Sequence, residues 1–145
     1  MLSKLPQDFI GRFDPVTESG CWLWIRGCTG AGYGAYQIKP SRIVVGAHRF
    51  AYETIHGPVP KYLHIDHLCR VRCCVNPDHM EVVTRKVNIL RGMSPQAINA
   101  RKQVCHRGHP LTPDNVYLRK GMRRCQTCHR DKATLRRALL KKDGA

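Results

Sequence analysis

Hydrophobic and polar positions along this chain fall into short alternating runs broken by turn residues, with two longer stretches at helical spacing. The most informative run is HIDHLCRVRCCVNPDHMEVVTRKVN, residues 64–88. Tyr62 to Asp66 alternates as a short strand, Cys69 to His79 reads as loop, and Met80 to Val83 reads as a second strand. Thr84 is placed to cap a helix that Gly92 closes. The order is β-β-α, with Asp66 and His67 at the exit of the first strand and Asn88 one turn inside the helix.

Upstream, WLWIRGCTGAGYGAYQI (residues 22–38) reads as a hairpin, with Trp22 and Trp24 on one face and Tyr33 to Ile38 returning after a glycine-rich turn. No Lys-Ser or Lys-Thr follows those glycines and no helix opens after them, which argues against a phosphate-binding loop. Ile43 to Val45 can add a strand. AHRFAYETIH (residues 47–56) carries Ala47, Phe50, Ala51, Thr54 and Ile55 at amphipathic spacing and ends at Gly57-Pro58, so a helix backing the core is expected. Residues 1–20 offer only turn signals, at Asp14-Pro15 and Ser19-Gly20. Ser94-Pro95 opens a short helix, and Thr127 to Lys142 reads as another. In that last helix Leu135, Ala138 and Leu139 form an inner stripe, and Arg130, Arg136, Arg137, Lys141 and Lys142 lie outside. The fold class expected is α+β.

Composition narrows the partners. The chain has 145 residues, with 25 Lys and Arg against 10 Asp and Glu, a net charge of +15. So strong a charge on so short a chain points to a polyanion, and nucleic acid is the first candidate. No apolar run approaches the roughly 18 residues of a spanning helix, and the N-terminus shows no apolar signal core, so no membrane partner and a cytoplasmic location are expected. In that compartment eight cysteines mean metal ligands more readily than disulfides. The charge is also polarised: residues 96–145 hold 13 of the 25 basic and 3 of the 10 acidic residues, which is +10 of the +15. Residues 1–95 and 96–145 are therefore read as two domains.

The residue types within 64–88 suit phosphodiester hydrolysis. A hard divalent cation, Mg2+ or Mn2+, prefers oxygen ligands and keeps several waters, and the Asp66 carboxylate with the Asn88 amide oxygen offers two. His67 beside them, neutral near physiological pH, is the candidate general base.

The Asp66-His67 pair, then CVNPDHMEVVT, then an asparagine on the following helix, resembles the HNH or ββα-metal endonucleases, particularly the free-standing phage type. The Cys69, Cys74 and Asn-Pro-x-x-His arrangement is also similar to the His-Cys box homing endonucleases. The resemblance implies hydrolysis of DNA phosphodiesters in a phage-infected bacterial cell, with His67 as base, Asp66 and Asn88 on the catalytic metal, and Asn76 as the loop asparagine that holds base and loop in place. The family's third motif position is a histidine. Here Asn88 is assigned to the catalytic metal and His79 to zinc. His48 and Arg49 are similar to the His-Arg pair common upstream in this phage family, and Arg49 is a candidate phosphate clamp; a solvated helix arginine and a packed or capping histidine are the plainer reading.

Spacing supports two structural zinc sites. Cys69-x4-Cys74 and His79 place three zinc-type ligands within eleven residues. Cys21 is chosen as the fourth because the His-Cys box resemblance implies a distant upstream cysteine, with Cys28 and Cys73 as competitors. Cys105-x3-His109 and Cys125-x2-Cys128 form the second set, similar to the CxxGHxL and CxxC tail of many phage HNH proteins; His106 and His129 would break the four-ligand pairing. Arg85, Arg130, Arg136 and Arg137 are candidate DNA contacts. The expected protein is thus a metal-dependent endonuclease, a monomer or homodimer acting on double-stranded DNA, with about two Zn2+. The alternative is a non-catalytic zinc DNA-binding protein on the same scaffold, and RNA is a less favoured target because few aromatics beyond the hairpin are available for stacking.

Overall fold

The computed structural model describes residues 2–142, and the side chains of Lys141 and Lys142, expected on the outer face of the last helix, lie outside the described set. The chain is α+β and forms two compact units that divide after Asn88.

The first unit begins with a short helix α1 (Gln7–Ile10) and a strand β1 (Phe13–Pro15), which pairs antiparallel with β2 (Trp22–Trp24). The lead-in segment thus belongs to the core, contrary to its reading as uninformative. Phe9 is fully buried, with ring centroids 5.1 Å from Trp24, 4.9 Å from Tyr36 and 5.2 Å from Phe50. Around it Leu5, Phe13, Ala47, Ala51 and Val75 complete the cluster. Three apolar residues of this stretch, Leu5, Phe9 and Phe13, are spaced so that all three reach one centre.

The hairpin expected over residues 22–38 is not formed. β2 pairs with β1, while β3 (Ala35–Ile38) pairs with β4 (Ile43–Gly46). The glycine-rich stretch between them closes on itself through a bridge at Cys28 and Gly34 and the Thr29 N–H donating to the Tyr33 carbonyl at 2.8 Å. Gly34 is required there, since a Cβ would sit 2.6 Å from Trp24 Cγ. Helix α2 (Ala47–His56) follows β4 directly and buries Ala47 and Ala51, as its amphipathic spacing demands.

Strands β5 (Leu63–His67) and β6 (Met80–Thr84) form an antiparallel hairpin in which Asp66 faces Glu81 and His67 faces Met80. The long connection between them is fastened to β2: Trp24 N–H donates to the Cys73 carbonyl at 2.9 Å and Val75 N–H to the Trp22 carbonyl at 2.8 Å. The Thr84 hydroxyl accepts from Val87 N–H at 3.3 Å and starts helix α3 (Arg85–Arg91).

The second unit contains α4 (Pro95–Arg101), capped by the Ser94 hydroxyl, the hairpin β7 (Val116–Arg119) and β8 (Met122–Cys125), and the long helix α5 (Gln126–Lys142). Arg123 organises it by donating to the carbonyls of Asn99, Ala100, Lys102 and Leu111. Leu135 and Leu139 are 60% and 54% exposed, so the stripe expected to face inward is open to solvent.

Candidate active site and metal centres

His67 ends β5 almost fully buried, and its Nε2 lies 3.1 Å from the Cys74 carbonyl. A carbonyl can only accept, so Nε2 carries the proton and Nδ1 keeps a lone pair. Burial is the main influence on the ring and lowers its pKa; the Cys74 carbonyl and Asp66 raise it in part, and Arg70 lowers it. A neutral ring with one free lone pair is what a general base needs.

Asp66, also buried, holds a 2.7 Å ion pair from Oδ1 to the Arg70 guanidinium. Arg70 takes a left-handed backbone, φ 61, at the turn just after β5. Nothing in the order of residues marked this pair, because it depends on that turn. Asn88 is half-buried as the fourth residue of α3. The strand register sets Thr84, which starts this helix, across from Leu63, three residues before Asp66 on β5.

Two further rings stand beside His67. Tyr33, at the end of the glycine-rich loop, and His48, in the first turn of α2, have centroids 5.8 and 5.0 Å from its ring. Arg72 steadies the loop by donating to the Ala31 carbonyl at 3.0 Å while its guanidinium lies 5.8 Å from the Tyr33 centroid. Neither ring was expected at the site, and no spacing rule brings them there; β3–β4 and α2 do so by tertiary packing.

The Asn76 side chain makes its hydrogen bonds away from the His67 ring. Its amide donates to the Gly20 carbonyl at 2.7 Å and its oxygen accepts from Asp78 N–H at 3.0 Å, so it caps the turn Pro77–His79 and ties that turn to the segment before Cys21. Arg49 is likewise committed within the chain, donating to the Val59 carbonyl at 2.8 Å and pairing with Glu53 at 2.9 Å. The same Glu53 oxygen accepts from Val59 N–H. That geometry closes the end of α2 and engages Nη2 of the guanidinium read as a phosphate clamp. Arg85, Arg130, Arg136 and Arg137 are exposed.

The Cys/His sets are brought together in space. The donor atoms of Cys21, Cys69, Cys74 and His79 lie within 4.8 Å of one another, and so do those of Cys105, His109, Cys125 and Cys128. His79 Nδ1 is 3.4 Å from Cys21 Sγ and 3.7 Å from Cys74 Sγ. In the second set Cys105 Sγ is 3.6 Å from Cys128 Sγ and from His109 Nδ1. A tetrahedral zinc at its usual bond lengths sets its ligands about 3.3–3.8 Å apart. A disulfide would need about 2.05 Å, and all eight cysteines are free. The clusters therefore fit zinc as donor sets and as geometry. Burial pushes the Cys74 thiol up to about 12, with the Asn76 and Trp22 backbone lowering it and the Cys69 and Cys21 thiols raising it. Cys28 is exposed, bonded to the Arg26 carbonyl, and Cys73 serves β2 through its backbone, so neither joins the first set. His129 packs on Tyr117 at 5.5 Å, outside the second set.

The family model HNH_3, described as HNH endonuclease, matches residues 45–90. That segment holds Asp66, His67, Asn76, Asn88 and three members of the first Cys/His cluster. Among curated proteins the chain is similar to protein 2.8 of Escherichia phage T7, 31% identical over 101 residues, which are 70% of this chain and 64% of that protein. It is also similar to the uncharacterized gene 5.3 protein of Enterobacteria phage T3, 33% identical over 41% of this chain and 63% of the relative. Protein 7.7 of Escherichia phage T7 is 34% identical over 47% of this chain and 51% of the relative. The matches thus span less than two thirds of each of these relatives. No solved structure matches. Among the described residues no helix is long and apolar enough to cross a membrane. With its β-β-α order, its buried Asp-His pair and this match, the chain carries an HNH endonuclease domain over residues 45–90 and has relatives among phage proteins.

Proposed function

We propose that the protein is a metal-dependent DNA endonuclease in which His67 is the general base and Asp66 and Asn88 hold Mg2+ or Mn2+. The observation that carries this reading is the state of His67: its Nε2–H is fixed on the Cys74 carbonyl and its Nδ1 is left as a proton acceptor next to a buried carboxylate. The residue types suit a hard cation: the buried Asp66 carboxylate, whose Oδ1 also holds Arg70, offers an anionic oxygen, and the half-buried Asn88 offers a neutral one. A divalent cation held by Asp66 and Asn88 would supply polarisation of the phosphate and stabilisation of the leaving oxygen. His67 takes a proton from water at Nδ1, the water oxygen bonds to phosphorus, the P–O bond to the leaving sugar oxygen breaks, and that oxygen takes a proton from solvent. Asn76 acts at one remove, holding the loop that supplies the Cys74 carbonyl.

Zn2+ at the two Cys/His clusters would fix the loop between β5 and β6 and hold the second unit together. The second unit, with most of the positive charge, would anchor double-stranded DNA through Arg130, Arg136 and Arg137 on the exposed face of α5, with Arg85 contributing from α3.

Incubation with supercoiled plasmid tests the reading. Nicked or linear product is expected with magnesium or manganese and none with EDTA. His67→Ala should cost about 10²–10⁴-fold in cleavage rate with zinc content unchanged, and Asn88→Ala should be partly rescued by raising the magnesium concentration. Binding of DNA without cleavage by any divalent cation would favour a zinc DNA-binding protein instead.

A further inference from the structure

Among the described residues one buried side-chain polar atom has no hydrogen-bond partner: His48 Nδ1. Leaving such an atom unpaired costs on the order of 1–3 kcal/mol, so the position of the exception is informative. It lies in the ring whose centroid is 5.0 Å from that of His67. Gly46 seals it, because a Cβ there would stand 3.0 Å from His48 Cε1 and 3.3 Å from Nδ1, while the Gly46 backbone is an ordinary φ −64. The absence of a side chain at 46 therefore serves the histidine ring and not a special turn.

The seal decides the tautomer. A proton on Nδ1 would be a buried donor with no acceptor, whereas a lone pair there is the smaller loss. The proton is therefore assigned to Nε2, the other ring nitrogen, which is not among the buried unpaired atoms of the described residues. Tyr33, 5.1 Å away on the other flank, and the turn at Gly46 hold the ring in place. Burial, then the nearby His67 and Arg49, lower the pKa of His48 to about 4, so the ring is a neutral donor that does not repel a metal ion at Asp66.

A phosphorus attacked by a water on His67 lies within about 3 Å of that water, and the water within about 3 Å of His67. An imidazole 5.0 Å from His67, centroid to centroid, reaches the oxygens of the same phosphate. We propose that His48 is a catalytic residue of this site, donating its Nε2–H to a non-bridging oxygen of the scissile phosphodiester and stabilising the charge that builds there as His67 takes the proton of the attacking water. The assignment rests on the nuclease reading and adds to it a donor poised for the transition state.

Three substitutions test it in the full-length protein, with single-turnover nicking of supercoiled plasmid, the DNA Kd, zinc content and Tm as readouts. His48→Phe keeps a ring without a donor, His48→Gln sets an amide N–H near the Nε2 position, and His48→Asn sets one near Nδ1, on the sealed side. The expected result is a rate about 10²–10³-fold lower for Phe and Asn, the usual loss for one transition-state donor, with Kd unchanged, and a loss under tenfold for Gln. Wild-type nicking by His48→Phe, or equal rates for Gln and Asn, overturns the proposal. If the Phe protein loses zinc or structure, the Gln and Asn pair decides alone. A wild-type protein that nicks, a His67→Ala protein that does not, and a His48→Phe protein as fast as wild type would remove His48 while leaving the nuclease reading intact. A wild-type protein that leaves the plasmid whole under every metal overturns both.

Discussion

The two units reach order by different means. The first packs five aromatic rings, Phe9, Phe13, Trp24, Tyr36 and Phe50, around one centre and adds a Cys/His cluster at its edge. Among its described residues the second buries a single apolar side chain, Ala97, and leaves Leu118, Leu135, Leu139 and Leu140 more than half exposed. Its hairpin, its turn at Cys105 to His109 and its long helix converge on four donor atoms, and on Arg123, which binds four backbone carbonyls. A core of hydrocarbon tolerates the loss of a metal; a core that is a metal site does not. The contrast suits a protein that does chemistry on the first unit, where positions must hold within fractions of an ångström, and presents charge on the second, where counterions forgive small displacements.

Metal removal should break the comparison most clearly. Structural zinc contributes on the order of 10 kcal/mol in small domains, comparable to the whole stability of a typical domain. Elemental analysis should find two zinc ions per chain. Cys128→Ser should then unfold residues 89–145, seen as rapid proteolysis of that part, while the first unit keeps its protection and its nicking activity at low salt. A second unit that stays protease-resistant without zinc would show that Arg123 and the hairpin suffice.

The converse substitution is Phe9→Ala, expected to cost about 3–5 kcal/mol through the cavity it leaves. It should lower the melting transition of the first unit and leave that of the second in place. One merged transition, shifted as a whole, would mean that the two units do not unfold separately.

The smallest effect concerns charge. DNA affinity should fall with salt with a log-log slope of about −0.9 for each phosphate neutralised. Arg136→Ala combined with Arg137→Ala should make the slope shallower by up to about 1.8, with the nicking rate at saturating DNA unchanged. An unaltered slope would move the anchor to the first unit, toward Arg70, Arg72 and Arg85.

Much of this was legible in the residue order, and the failures have a common cause. Helices α2, α4 and α5 and the strands β4, β5 and β6 follow from periodicity and capping residues, which act between near neighbours in the chain. The hairpin at residues 22–38 was misread because alternation shows that a segment is extended and not which strand it will pair with; β2 found β1 instead. The inward stripe of α5 was misread for a related reason, since a helix pattern announces an apolar face without guaranteeing anything to cover it.

The sequence by itself determined the chemistry available: the Asp-His pair, the Cys69, Cys74 and His79 run, the Cys105-His109 and Cys125-Cys128 pairs and the polarised charge are all local in the chain. Tertiary structure decided what meets what. It brought Cys21 to His79 across 58 positions by pairing β2 with the loop that holds Cys74, turned Arg49 inward to Val59, set Arg70 on Asp66, and stood His48 and Tyr33 beside His67. Those contacts rest on the burial of Phe9 and Trp24 and on backbone bonds between distant segments. Their free energy depends on all partners arriving together, and so no single stretch of the chain encodes them.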